Sequence, residues 1–179
     1  MSTIWFTADT HFSHSNIIKF CHRPFMGIRL HDQKLIEAWN RHVALNDTIY
    51  HLGDLGFGSP SYLAGIVSQL NGKKHLILGN HDKSNRLKRM ADLFESIEVY
   101  KEIKVFDKDI DGHRHIVLFH YPIESWSRKF HGSWHLHGHT HNSESLRVVP
   151  GRLNVGVDLH GYKPISFSKV RSLINAQFK

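Results

Sequence analysis

Polar and apolar residues alternate with a period of two over residues 3–8, where Ile4, Phe6 and Ala8 share one face, and this predicts a strand. Short apolar runs at residues 48–52 and 74–78 predict two more. Between the strands the period becomes helical. Leu35, Ile36, Trp39 and Val43 form a stripe over residues 32–46, closed by the Asn46-Asp47 turn. Pro60 opens a second helix carrying Leu63, Ile66, Val67 and Leu70, and Asn71-Gly72 stops it. Ser84 is placed to cap a third helix running to about residue 94, and a shorter helical piece is expected at residues 16–20.

The second half reads mainly as strands, at residues 97–106, 115–119, 134–136, 146–149 and 153–157. Asp111-Gly112 and Pro150-Gly151 mark turns, and a last helix over residues 168–178 carries Val170, Leu173, Ile174 and Phe178. Strand and helix alternating first, then mostly strands, predict an α/β protein with two sheets packed face to face and helices outside. No repeat, low-complexity segment or composition break divides the chain, so residues 1–179 are expected to form one domain. That length can bury a core without metal or disulfide staples.

Composition narrows the setting. The single cysteine, Cys21, excludes an intrachain disulfide and any Cys-rich zinc module, which suits a reducing cytosol. The N-terminus lacks the basic segment and apolar run of a signal peptide, and no stretch is long enough to cross a bilayer. The expectation is a soluble, cytoplasmic protein without a membrane partner, and nothing implies an obligate protein partner. A net charge of +7 favours anionic partners such as phosphate esters, nucleotides or nucleic acid. Lys83, Arg86, Lys88 and Arg89 crowd one segment, where a solvated helix face is the ordinary reading and a polynucleotide contact the sharper one. There is no helix-turn-helix, zinc-finger or aromatic RNA-binding signature.

The chemistry concentrates in five short stretches: Asp9-Thr10-His11, Gly53-Asp54, Gly79-Asn80-His81-Asp82, His120 and Gly138-His139-Thr140-His141. Each follows an apolar, strand-like run. Ligand sites in α/β sheets form at the carboxyl ends of strands, so residues distant in sequence can converge on one edge. Asp-x-His or Gly-Asp alone carries little information, whereas all five in this order are hard to produce by accident.

These blocks resemble the five signature motifs of the calcineurin-like metallophosphoesterases. The resemblance spans residues 9–141, and Gly56 stands where that family often has a small residue after the second-block Asp. It implies a four-layer α-β-β-α sandwich of two mixed sheets flanked by helices. It also implies a first metal held by Asp9, His11 and His141, a second held by Asn80, His120 and His139, and Asp54 bridging the two. His81 is left as the proton-transferring group, held by Asp82. The chain is compact, with no room for the cap domain of larger members.

Carboxylate, imidazole and amide donors without thiolate suit Mn²⁺ first, with Fe²⁺, Co²⁺, Ni²⁺ or Zn²⁺ as alternatives. Two such ions about 3.5–4 Å apart clamp the entering and departing oxygens of an in-line displacement at phosphorus, and a water bridging them ionises near neutral pH. The reading is therefore a metal-dependent phosphohydrolase acting on phosphodiesters, with phosphomonoesters as a second substrate class. A non-catalytic metal-containing binding module and a basic nucleic-acid-binding protein are the alternatives. Asn80 and, outside the blocks, Arg23 and His14 are candidate substrate contacts, and His22 flanks the same loop. His135 and His137 alternate into His139, with ordinary packing the stronger reading for both. Trp126, Phe130 and Trp134 are read as core more readily than as base-stacking groups, and Cys21 as structural.

Overall fold

The computed structural model describes residues 2–82, 84–143 and 147–178, and leaves the side chains of Ser84 and Arg86 undescribed. Four strands, β1 (Ile4–Thr7), β2 (Thr48–His51), β3 (Lys73–Ile77) and β4 (Ser96–Glu98), lie parallel in one sheet, and β9 (Ile165–Ser166) adds an antiparallel edge beside β1. A second mixed sheet has the order β5-β6-β7-β8, with β5 (Tyr100–Asp107), β6 (Gly112–Phe119), β7 (Trp134–His137) and β8 (Arg152–Asn154). Only β5 runs antiparallel to its neighbour; β6, β7 and β8 are parallel.

Alternation along the strands sorts side chains into layers. Phe6, Tyr50 and Ile77 face Ile116, Leu118 and Leu136, forming the core between the sheets. Ile49 and Leu76 point the other way, onto α2 (Ile28–His42) and α3 (Pro60–Val67), where they meet Leu35, Trp39, Leu63 and Val67. Helix α3 begins as its sequence predicts: Ser59 Oγ accepts from the Tyr62 N–H, and Pro60 occupies the first turn, where its missing N–H costs nothing. Helix α5 (Phe167–Ala176) buries Val170 and Ile174 at the edge of the inter-sheet core. The result is the expected α-β-β-α fold. On the outer face of the second sheet the last layer is thin, with Trp126 and Val149 packed on Val117.

The chain departs from the predicted elements in three places. The strand expected over residues 97–106 is two strands in different sheets, because the chain crosses between sheets at the exposed Val99 with no glycine, proline or other turn residue to mark the crossing. The helix expected from Ser84 to about residue 94 is α4 (Ser84–Leu87) followed by a 3₁₀ turn (Ala91–Leu93). Leu87 and Met90 are both buried, and Met90 N–H bonds Leu87 O at 3.0 Å, so tight turns anchored in the core replace a helix too short to stand alone. Of the strand expected at residues 146–149, Leu146 lies outside the described residues and 147–149 are irregular. Trp126 and Trp134 are core residues, as read, whereas Phe130 is 91% exposed.

Candidate metal centre

Strands β1, β2, β3, β6 and β7 end at the same edge of the two sheets, and the loops leaving them carry the five sequence blocks. Main-chain bonds tie these loops together. Asp9 N–H donates to Gly53 O at 2.9 Å, His11 N–H to Asp54 O at 3.0 Å and Gly138 N–H to His120 O at 3.0 Å. Gly53 and Gly138 are dictated by closeness. A Cβ on Gly138 would stand 2.6 Å from Asp9 Oδ2, and one on Gly53 would collide with His120 Nδ1.

Backbone strain marks the same residues. Ten non-glycine residues have positive φ among those described, and Asp9 (56°), His11 (50°), Asp54 (57°), His139 (73°) and His141 (48°) are half of them. Each such residue costs about 1–3 kcal/mol, and such strain gathers at functional sites when the surroundings over-determine it.

The side chains converge on Asp54. Its Oδ2 lies 3.5 Å from His11 Nε2, 3.7 Å from His120 Nε2 and 3.9 Å from His81 Nε2. Donor atoms of Asp9, His11 and His141 lie within 4.8 Å of one another, and so do those of Asp9, Asp54 and His120. Asn80 Oδ1 meets His120 Nε2 and His139 Nδ1, each at 3.0 Å. All seven residues read as ligands therefore stand in one cluster with His81 at its rim, 43% of its side chain exposed.

The donor set fits divalent cations on its own chemistry. His11 Nε2 is buried without a hydrogen-bond partner, an orphan that a cation beside Asp54 would satisfy. Burial lowers the pKa values of His11, His120 and His139, which keeps their rings in the neutral form a metal requires. Burial raises Asp9 to about 7, against the pull of His141 and the His139 N–H. Burial would lower His141 as well, but its hydrogen bond to Asp158, with Cys21 and Asp9 close by, outweighs that and raises it to about 10. Two cavities of about 580 Å³ each lie elsewhere on the molecule. The centre is located by converging donors, orphaned nitrogen and strain rather than by concavity.

Two expected roles change. Asp82 does not hold the His81 ring. Its carboxylate accepts from the N–H groups of Asp54 (2.8 Å), Leu55 (3.0 Å) and Gly79 (2.9 Å), locking the second and third loops together. Three backbone donors left over by the sharp turns outcompete one exposed imidazole. Arg23 does not reach outward for a phosphate. Its side chain is fully buried, with Nε 2.7 Å from Asp158 Oδ1 and its remaining nitrogens bonded to Asp9 O, Thr10 O, His31 and Asp158. A buried guanidinium needs its charge and all its donors matched, and the first loop supplies the carbonyls.

His14 does reach the rim, its Nδ1 3.4 Å from that of His11 and its ring stacked on Phe57 at 4.0 Å, whereas His22 is exposed. His135 packs against Trp126, His137 stacks on His135, and both are bonded to backbone carbonyls, the ordinary reading. Lys83 and the side chain of Arg86 lie outside the description, while Lys88 and Arg89 are exposed beyond α4. Asp158, which the sequence reading missed, follows β8 through Val155-Gly156-Val157, a pattern like the second block's but with one residue between the glycine and the acid.

Two sheets presenting oxygen and nitrogen donors at the ends of their parallel strands, around one central carboxylate, define a metal-dependent phosphoesterase. The chain belongs to the calcineurin-like phosphoesterase superfamily, whose domain model matches residues 3–157. It is 34% identical to an uncharacterized protein of Methanocaldococcus jannaschii, over 97% of this chain and 92% of that one. It is 31% identical to the Gene 66 protein of Mycobacterium phage L5, over 98% and 95%. A crystal structure of a protein of unknown function from Aquifex aeolicus superimposes with a TM-score of 0.72 at 28% identity, covering 97% of this chain and all of that one. No helix among the described residues is long and apolar enough to cross a membrane.

Proposed function

We propose that one domain spanning residues 1–179 hydrolyses phosphodiesters, and phosphomonoesters secondarily, with two divalent metals held by Asp9, His11 and His141 and by Asn80, His120 and His139. The observation that carries this reading is the position of Asp54, with Oδ2 within 3.9 Å of three imidazole nitrogens from three different loops. A carboxylate so placed would be shared by two cations. Two divalent ions supply the positive charge that clamps the entering and departing oxygens in an in-line displacement at phosphorus. Mn²⁺ is the first candidate, with Fe²⁺, Ni²⁺, Co²⁺ and Zn²⁺ suiting the same donors.

The protein's own groups do the rest. Asp54 Oδ1 accepts the His81 N–H at 2.9 Å, which fixes the main chain at His81 while its ring stays on the exposed rim. From there the imidazolium gives a proton to the departing alkoxide, help typically worth about 10²–10⁴-fold. Asn80 Oδ1 stands 3.0 Å from His120 Nε2 and from His139 Nδ1, a grouping that would hold one cation, with the amide nitrogen left to touch a phosphate oxygen. His14, stacked on Phe57, lies where one ester group of a diester would rest.

The deciding experiment is hydrolysis of matched nitrophenyl phosphodiester and monoester substrates by chelator-stripped protein reloaded with Mn²⁺, then Ni²⁺, Co²⁺ and Zn²⁺. Metal-restored turnover with the diester faster is the expected result. A faster monoester would reverse the substrate class, and no turnover with any metal would leave a metal-holding binding module.

A further inference from the structure

Asp158 stands one residue beyond the segment that matches the superfamily, on the 3₁₀ turn Val157–Leu159. Its side chain is 1% exposed, and its two oxygens divide their partners. Oδ1 accepts from Arg23 Nε at 2.7 Å, while Oδ2 accepts from Arg23 Nη2 at 2.9 Å and from His141 Nδ1 at 2.8 Å. Arg23 is itself fixed to the first loop, with Nη2 donating to Asp9 O at 2.7 Å and Nη1 to Thr10 O at 3.0 Å. The turn is tied to β1 as well, since Val157 N–H donates to Ala8 O at 3.1 Å. A closed polar circuit thus runs from the loop bearing Asp9 and His11, through Arg23 and Asp158, to the ring of His141.

We infer that Asp158, clamped by Arg23, is a positioning residue that fixes the tautomer and orientation of His141, so that the protein holds its two metals by unequal means. With Nδ1–H donated to Asp158, the lone pair of His141 sits on Nε2, and a carboxylate partner makes that ring nitrogen a stronger donor. At the other metal, the ring of His120 has a neutral brace, its Nδ1 donating to Leu52 O at 2.7 Å. Cys21, His141 and Asp158 also bring donor atoms within 4.8 Å of one another, which raises the question of a cation among them. Arg23 answers it. Its guanidinium already engages both Asp158 oxygens, and a second cation against the same carboxylate would meet that fixed charge. The trio is a hydrogen-bonded clamp.

The inference rests on the two-metal reading above, and metal stoichiometry separates the two. Wild type and Asp158→Asn, chelator-stripped, are titrated with Mn²⁺ alone by calorimetry, and bound metal is counted by mass spectrometry after gel filtration. Wild type is expected to bind two ions per chain. Asp158→Asn is expected to keep one affinity unchanged and to weaken the other by about 10–100-fold, the usual cost of losing such a partner. Equal retention of both ions, or equal loss of both, overturns the inference while leaving the two-metal reading intact. Fewer than two ions in wild type overturns both. Because Asp158→Asn strands the buried Arg23 charge, circular dichroism checks its fold. If the variant does not fold, Asp158→Asn/Arg23→Gln removes both charges and is expected to show the same one-sided loss.

Discussion

His51 ends β2 against the Trp39 ring, 2% exposed, and its hydrogen bonding fixes its charge. Thr10 Oγ1 donates to Leu55 O at 2.9 Å, so the 2.9 Å contact between Thr10 Oγ1 and His51 Nε2 must be donated by the ring. Nδ1 then carries the lone pair, and it is buried with no partner. A proton added there would bring a charge and an unsatisfied donor into the core. Burial accordingly lowers the folded pKa from 6.5 to about 3, with His120 adding to the effect. Above pH 6.5 neither state takes up a proton at this ring. Between 6.5 and about 3 the unfolded chain binds one that the folded chain refuses, so stability falls as the pH falls through that window. From pH 7 to pH 5 the loss is about 2 kcal/mol, at about 1.4 kcal/mol for each pH unit below the unfolded pKa.

The whole-protein curve does not report this directly. Asp9, raised to about 7, takes up a proton in the folded metal-free chain over the same interval and acts with the opposite sign. The informative quantity is the difference between wild type and His51→Gln, whose side-chain amide nitrogen can keep the donation to Thr10 without titrating. Urea unfolding of the chelated proteins at pH 7, 6 and 5 is expected to show wild type losing about 2 kcal/mol relative to the variant between the ends of the series. A difference that stays constant across the series would show that the ring is not held neutral, and would refute the tautomer argument.

Other perturbations separate the parts of the site. His81→Ala is expected to lower turnover by about 10²–10⁴-fold on esters with poor leaving groups, with both metals retained on elemental analysis; loss of metal would make His81 a ligand. Gly138→Ala places a methyl 2.6 Å from Asp9 Oδ2, so it is expected to weaken metal binding measurably in the same Mn²⁺ titration, whereas unchanged affinity would mean that the loop relaxes freely. Asp82→Ala removes the acceptor of three backbone N–H groups and is expected to cost at least about 1–3 kcal/mol in denaturant unfolding. A loss below 0.5 kcal/mol, about the level of a neutral surface change, would mean that water replaces the carboxylate without penalty.

The fold was legible where hydrophobic period and turn chemistry agreed. Residues 3–8 and 60–70 carry their pattern in the side chains, and β1 and α3 form there. It was not legible at Val99, because alternation says which face a residue takes and not which sheet it joins. At residues 84–94 a helical spacing of Leu87 and Met90 suits tight i→i+3 turns equally well, and core contacts made the choice. The cluster could be read from sequence because each block combines a strand end with residue types that tolerate a left-handed turn. The partners of charged side chains were beyond it. Asp82 lies beside His81 in the chain, yet two of the three N–H groups it accepts, those of Asp54 and Leu55, come from 28 and 27 residues away, and Arg23 meets Asp158 across 135 positions. Nothing local encodes either pairing.

Those two misread residues explain how the strained loops are held. Five of the seven cluster residues sit in left-handed backbone, so the turns bearing them would relax if left unbraced. Asp82 braces one side by accepting N–H groups of the Asp54 and Gly79 turns, and Arg23 braces the other by donating to carbonyls of the Asp9 and Thr10 turn. An acid binds exposed donors and a base binds exposed acceptors, because a sharp turn at a strand end leaves both kinds unpaired. The two braces are also unlike in charge environment. Burial raises Asp82 to about 6, partly offset by the N–H groups of Gly79 and Leu55, whereas Arg23 carries its counterion with it in Asp158. Protonating Asp82 would weaken the brace on the Asp54 turn first. The Asp82 brace on the Asp54 turn is therefore expected to loosen in acid ahead of the Arg23–Asp158 brace.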